Sequence, residues 1–192
     1  MNLANKITIT RIILTFIFIY LFPNGFVLKV IGFFVFSLAA LSDLLDGWIA
    51  KHRNQVTDFG KILDPIADKI LVLSAFLIFL QMQLIDAWMV IVIISRELTI
   101  TGLRLFALSK GKVLAAEKAG KHKTVSQMVS IFMIMGFVIL KEYFNRINFW
   151  NEVGERFYLS AIYMVMLVTV ALTLISGLSY LWRNRKIIVK IS

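Results

Sequence analysis

The chain has 192 residues, 59% hydrophobic and 17% charged, with a mean hydropathy of +0.84 and no cysteine. It is more apolar than a water-soluble domain, whose apolar share is roughly 45–50% counted with glycine, and it excludes a disulfide framework or a thiolate metal site. Its net charge of +10 lies beside apolar runs rather than among stacking aromatics, which argues against nucleic acid and for anionic headgroups and small anions as partners.

Six apolar runs, each near the roughly 20 residues that cross a bilayer as a helix, predict an all-α integral membrane protein with six transmembrane helices, at 7–22, 28–50, 61–80, 86–108, 125–141 and 157–182. The first run opens with Asn5, Thr8, Thr10 and Arg11. Ile12 to Pro23 lacks a small-residue cleavage site, so the segment is expected to stay in the mature protein. Its first turns are expected in the interface, with Arg11 snorkelling towards water.

Pro23-Asn24-Gly25 separates the first two runs, Gln81-Met82-Gln83 the third from the fourth, and the polar stretch from Asn145 to Glu155 the last two. The other connections and the carboxy-terminal segment carry the cations: Lys51, His52 and Arg53, then Lys110 to Lys123, then Arg183 to Lys190. The positive-inside rule makes that side cytoplasmic, with both termini on it. No repeat or flexible linker interrupts the chain, so residues 1–192 are expected to form a single membrane-embedded domain. Trp88, Trp150 and Trp182 are expected as interface anchors, His52 and His122 as interfacial polar residues, and Gly136 and Gly177 as points of close helix contact.

The second run ends, and the third begins, with carboxylates: Asp43-x2-Asp46-Gly47-x2-Ala50-Lys51-x8-Gly60-x3-Asp64-x3-Asp68. Spacings of three and four put each pair on one helix face. Carboxylates in or near a bilayer each cost about 2.5–3.5 kcal/mol at mid-depth and repel one another, so a cation is needed to hold them together. An all-oxygen donor set suits Mg²⁺, Mn²⁺ or Ca²⁺ rather than zinc, and a carboxylate site with open positions accepts phosphates. Gly47 and Gly60 leave room for a ligand beside the backbone. Simple pairing of the aspartates with Lys51, Lys61 and Lys69 is the bland alternative, and a cation pathway of a small transporter the sharper one. Against the pathway, the carboxylates gather at one end of the runs instead of forming a chain across them.

This spacing resembles the signature of the CDP-alcohol phosphatidyltransferase family, with Lys51 in place of the family's Arg. The resemblance implies a six-helix membrane fold with a polar active-site cavity facing the cytoplasm, usually dimeric, and metal-dependent transfer of a phosphatidyl group from a CDP-linked lipid to an alcohol with release of CMP. It further implies that Asp43, Asp46, Asp64 and Asp68 bind two ions, Mg²⁺ or Mn²⁺, and that Asp68 also takes the proton of the attacking hydroxyl. CDP-diacylglycerol would lie against Asn5, Thr8, Gly47, Lys51, Thr57 and Gly60. A lysine offers a point charge where arginine offers a planar fork, so Lys51 changes how the diphosphate is met, with Arg53 close by to compensate.

In the fourth run, Arg96 is too deep to stand unpaired, and is expected to face a wet cavity or to pair with Glu97 or an aspartate. Arg104, eight residues on, lies about 80° away around a helix, so both can address one pocket. Gly120-Lys121-His122-Lys123-Thr124 brings lysines to the amino-terminus of the fifth run, which favours a phosphate. Together with Gln127, these segments resemble the branch of the family that uses glycerol 3-phosphate. That resemblance implies that Arg96, Arg104 and Lys121 hold the acceptor's phosphate, that the product is phosphatidylglycerol phosphate, and that the enzyme resides in a bacterial cytoplasmic membrane. Inositol phosphate, serine and phosphatidylglycerol remain the alternative acceptors.

Overall fold

The computed structural model describes the backbone of residues 3–53, 58–112 and 118–189, and within these the side chains of 7–42, 66–67, 69–112 and 122–185. The described residues form six α-helices: α1 (Leu3–Leu21), α2 (Phe26–Arg53), α3 (Asp58–Gln81), α4 (Ala87–Ser109), α5 (Lys118–Arg146) and α6 (Glu152–Val189). Each apolar run lies within or against one helix, and most helices continue past it. Hydropathy marks only the part that avoids water, whereas the backbone hydrogen-bond ladder runs on into polar sequence.

The chain divides into two compact units, with α5 contributing residues to each. One comprises residues 1–82 and 135–150, in which α1 packs against α2 and α3. A chain of rings forms its core: Phe18 lies 5.1 Å from Phe36 and 5.5 Å from Phe22, Phe22 lies 6.1 Å from Phe79, and Phe79 lies 6.4 Å from Phe76. The tilted and edge-on geometries are those that the aromatic quadrupole favours. Gly32 permits this packing, because a Cβ there would stand 3.3 Å from the backbone of Phe22. Lys29 pairs with Glu142 at 2.8 Å and Arg146 lies 4.6 Å over the Phe26 ring, fastening the start of α2 to the end of α5.

The other unit comprises residues 83–134 and 151–192, where α4 packs against α6. Ile100, Ala107 and Tyr180 form a buried cluster there, flanked by Leu103 and Leu181. The end of α4 is a Schellman stop: Gly111 adopts φ +70°, its N–H donates to the Leu108 carbonyl, and the Lys112 N–H donates to the Ala107 carbonyl. At the start of α6, the Gly154 N–H donates to Asn151 Oδ1 at 2.8 Å, and Glu152 and Glu155 complement the helix dipole.

Stretches His122–Arg146 and Glu152–Arg185 are long and apolar enough to cross a membrane, and Ile7–Leu21, Phe26–Ser42 and Lys69–Gln81 are shorter apolar stretches. Large side chains such as Phe16, Phe34, Met164 and Leu178 are exposed on these helices, as expected where the solvent is hydrocarbon. Two expectations fail. Arg11 does not snorkel but is 1% exposed, because it shares a face of α1 with Thr8 and Thr15. Gly136 is no point of close approach among the described residues, since a Cβ there would meet none of their atoms within 4 Å.

Candidate active site

Both acidic pairs stand on helices. Asp43 and Asp46 lie on α2, which is continuous through Arg53, and Asp64 and Asp68 lie on α3. Three residues turn a helix through about 300° and four through about 400°, so the members of each pair fall about 60° and about 40° apart on a common face. These two helices are in contact within one unit. The side chains of the four aspartates, of Asn5, Lys51 and Lys121, and the surroundings of Gly47 and Gly60 lie outside the described residues, and Thr57 lies outside them altogether. As a donor set, four carboxylates on two such faces fit a hard divalent ion, which prefers oxygen ligands.

Thr8, Arg11 and Thr15 form a fully buried polar stripe on α1, spaced three and four residues apart. The Thr15 hydroxyl donates to the Arg11 carbonyl at 2.8 Å, and Arg11 Nε donates to Ser42 Oγ at 3.4 Å. Ser42 directly precedes Asp43 on α2. A guanidinium is thereby delivered from α1 to the residue bordering the acidic motif, within the same unit. The 8, 11, 15 spacing carried that signal, and the lone cation in an apolar run masked it.

In the other unit, Arg96 takes the second of its expected environments. Its Nη1 lies 3.2 Å from Glu97 Oε1, and its Nη2 donates to Ser176 Oγ on α6 at 2.7 Å. Glu97 is 3% exposed, and its Oε1 also accepts from Lys123 Nζ on α5. One carboxylate therefore joins two cations in an apolar surround, the arrangement in which a charge-assisted network is tolerated. Gly177 makes the arginine's place: a Cβ there would come within 3.0 Å of Arg96 Cγ.

Arg96 also lines a groove of about 310 Å³ between α4 and α6, with Ser95 and Thr99 as its polar neighbours and Ile91, Leu174 and Leu178 among its apolar walls. Arg104 likewise leans on α6, 5.9 Å over the Tyr180 ring, and is exposed. The two arginines thus share the helix side expected from their spacing. The pairing of Lys123 with Glu97 is what sequence reasoning passed over. A charge run such as Lys121-His122-Lys123 does not say which lysine turns inward; the helical phase of Lys123 with the buried Gln127 and Ser130 does.

The family model for CDP-alcohol phosphatidyltransferase matches residues 1–182. A protein of Bacillus subtilis (strain 168) named CDP-diacylglycerol--glycerol-3-phosphate 3-phosphatidyltransferase is 43% identical over 147 residues, covering 70% of this chain and 76% of its own length. One of the same name from Rickettsia bellii is 35% identical over 181 residues, covering 93% of each. A probable phosphatidylglycerophosphate synthase of Mycobacterium tuberculosis (strain ATCC 25618 / H37Rv) is 32% identical over 186 residues, covering 95% of this chain and 81% of that protein. With the family model spanning nearly the whole chain and relatives matching over most of their own length, this membrane protein belongs to the CDP-alcohol phosphatidyltransferase family.

Proposed function

We propose that the chain transfers the phosphatidyl group of CDP-diacylglycerol to glycerol 3-phosphate, giving phosphatidylglycerol phosphate and CMP. The observation that carries this reading is the acidic motif, filled at all four positions and borne on two contacting helices with one face per pair. The names of relatives at 43% and 35% identity support the choice of donor and acceptor.

Asp43, Asp46, Asp64 and Asp68 would hold two Mg²⁺ or Mn²⁺ ions, which when bound neutralise diphosphate charge and make the phosphorus more electrophilic. Asn5, Thr8, Gly47, Lys51, Thr57 and Gly60 serve the CDP-diacylglycerol end. Arg96, Arg104 and Lys121 hold the acceptor's phosphate, and the buried Glu97 fixes the direction in which Arg96 points. The primary hydroxyl oxygen of the acceptor forms a bond to the phosphatidyl phosphorus, the bond from that phosphorus to the CMP oxygen breaks, and CMP leaves with the electron pair. Asp68 accepts the hydroxyl proton. The enzyme works as a single domain over 1–192, a homodimer crossing a bacterial cytoplasmic membrane six times, with both termini and the polar cavity on the cytoplasmic side.

The test is CMP release by the purified chain in detergent with Mg²⁺ or Mn²⁺. Release is expected only when CDP-diacylglycerol and glycerol 3-phosphate are both present. Equal release with serine, inositol phosphate or phosphatidylglycerol would overturn the acceptor, and none with any alcohol would overturn the activity.

A further inference from the structure

Two buried polar stripes meet in the unit formed by residues 83–134 and 151–192. On α5 they are Lys123, Gln127 and Ser130, and on α6 Thr169, Thr173 and Ser176, all at most 5% exposed. At one end the Ser130 and Thr169 hydroxyls are 2.6 Å apart. At the other, Lys123 joins Glu97, Glu97 joins Arg96, and Arg96 donates to Ser176. These two couplings run the segments antiparallel, low numbers on α5 against high numbers on α6. Gln127 and Thr173 then fall midway along the seam, three or four residues, about one helical turn, from either end.

Neither of these two is satisfied. Gln127 Nε2 and Thr173 Oγ1 have no hydrogen-bond partner among the described residues, and neither has Arg96 Nε. The neighbouring hydroxyls behave differently: Ser130 Oγ lies 2.7 Å from the Ser126 carbonyl and Thr169 Oγ1 2.9 Å from the Val165 carbonyl, so that one of them donates to its own helix and the other across to its neighbour. Thr173, on the same stripe of the same helix, makes no such back-bond. Buried polar groups are nearly always paired, and an unpaired one in an apolar interior is unfavourable enough to call for a partner. A primary amide and a hydroxyl are neutral, so what they match is an alcohol; the charged end of the seam matches an anion.

We propose that Gln127 and Thr173 read the secondary hydroxyl of a glycerol phosphate, making them specificity-determining residues of the acceptor site. This rests on the acceptor named under the proposed function. The Gln127 amide N–H donates to that hydroxyl oxygen, and the hydroxyl's own proton goes to Thr173 Oγ1. Arg96 Nε, unused among the described residues, remains for a phosphate oxygen. Glycerol 3-phosphate holds its secondary hydroxyl two carbons from the phosphate ester oxygen, a separation that fits within one helical turn of about 5.4 Å. A site built to bond a substrate hydroxyl discriminates strongly against the analogue lacking it, since its own buried groups then stay unpaired.

The experiment compares glycerol 3-phosphate with 3-hydroxypropyl phosphate, which keeps the phosphate and the primary hydroxyl and lacks only the secondary one. CMP release by the full chain in detergent with CDP-diacylglycerol and Mn²⁺ gives the ratio of kcat/KM for the two acceptors. The ratio is expected to be on the order of 100 or more in the unaltered chain, and to fall tenfold or more in Gln127→Leu and in the isosteric Thr173→Val. The proposal is overturned by a ratio near one in the unaltered chain. It is also overturned if the variants lower both acceptors in equal proportion, as loss of a structural water or of packing would do. Should the unaltered chain release no CMP with glycerol 3-phosphate, the acceptor itself fails, and this proposal with it.

Discussion

Glu97→Ala removes a carboxylate that accepts from both Arg96 and Lys123. The two cations it leaves have side chains only 12% and 6% exposed, so neither recovers its hydration. Breaking a buried pair by deleting one partner costs about 3–5 kcal/mol, most of it from the charge left uncompensated. At about 2–4 °C per kcal/mol for a chain of this size, thermal unfolding in detergent should move down by roughly 6–20 °C. Glu97→Gln, which keeps an acceptor oxygen but loses the charge, should fall between. Adding Lys123→Met to Glu97→Ala removes one of the two cations that paired with Glu97 and should restore part of the loss. A double variant whose loss equals the sum of the two single losses would mean that residues 97 and 123 are not coupled, and the network would not be what stabilises this unit.

Gly177→Ala places a methyl group 3.0 Å from Arg96 Cγ, on a side chain pinned by Glu97 and Ser176; KM for glycerol 3-phosphate should rise roughly tenfold with little change in KM for CDP-diacylglycerol, and an unchanged acceptor KM would refute the placement of Arg96. Gly32→Val drives a branched side chain against the Phe22 backbone at 3.3 Å and should cost about 1–3 kcal/mol in unfolding experiments. Chelation of divalent ions should abolish CMP release and added Mn²⁺ restore it, while Asp64→Asn and Asp68→Asn should stay inactive at any metal concentration; full activity in chelator would exclude the metal role of the aspartates.

The helices were legible because each carries an apolar run, but their ends were not. The run at 125–141 says nothing of the turns on either side that take α5 from Lys118 to Arg146. Family membership was legible from one motif, since four acids and two glycines at fixed intervals are costly to keep in apolar sequence unless cations and a bulky ligand meet them there. The partners of Arg96 were legible only as alternatives. Adjacent residues on a helix point about 100° apart, so nothing local says that Arg96 and Glu97 lean together; Ser176, 80 residues away, and Lys123 decide it. Arg11 was misread because a cation near a membrane helix end has a cheap default in snorkelling, and only packing against α2 displaces it. The glycines show the same limit, since Gly177 makes way for Arg96 whereas Gly136 makes way for nothing among the described residues.

The serine and threonine hydroxyls of these helices bear on biogenesis. Thr15, Ser37, Ser42, Ser126, Ser130 and Thr169 can each donate to a carbonyl one turn back in their own helix, so each can enter lipid already satisfied, before any neighbour arrives. Glu97 meets Arg96 within its own helix, but its bond to Lys123 spans two helices. A nascent α4 leaving the translocon therefore carries a need that α5 meets, and the step that commits this half of the chain to its final form comes after insertion, when a lysine made 26 residues later reaches its carboxylate.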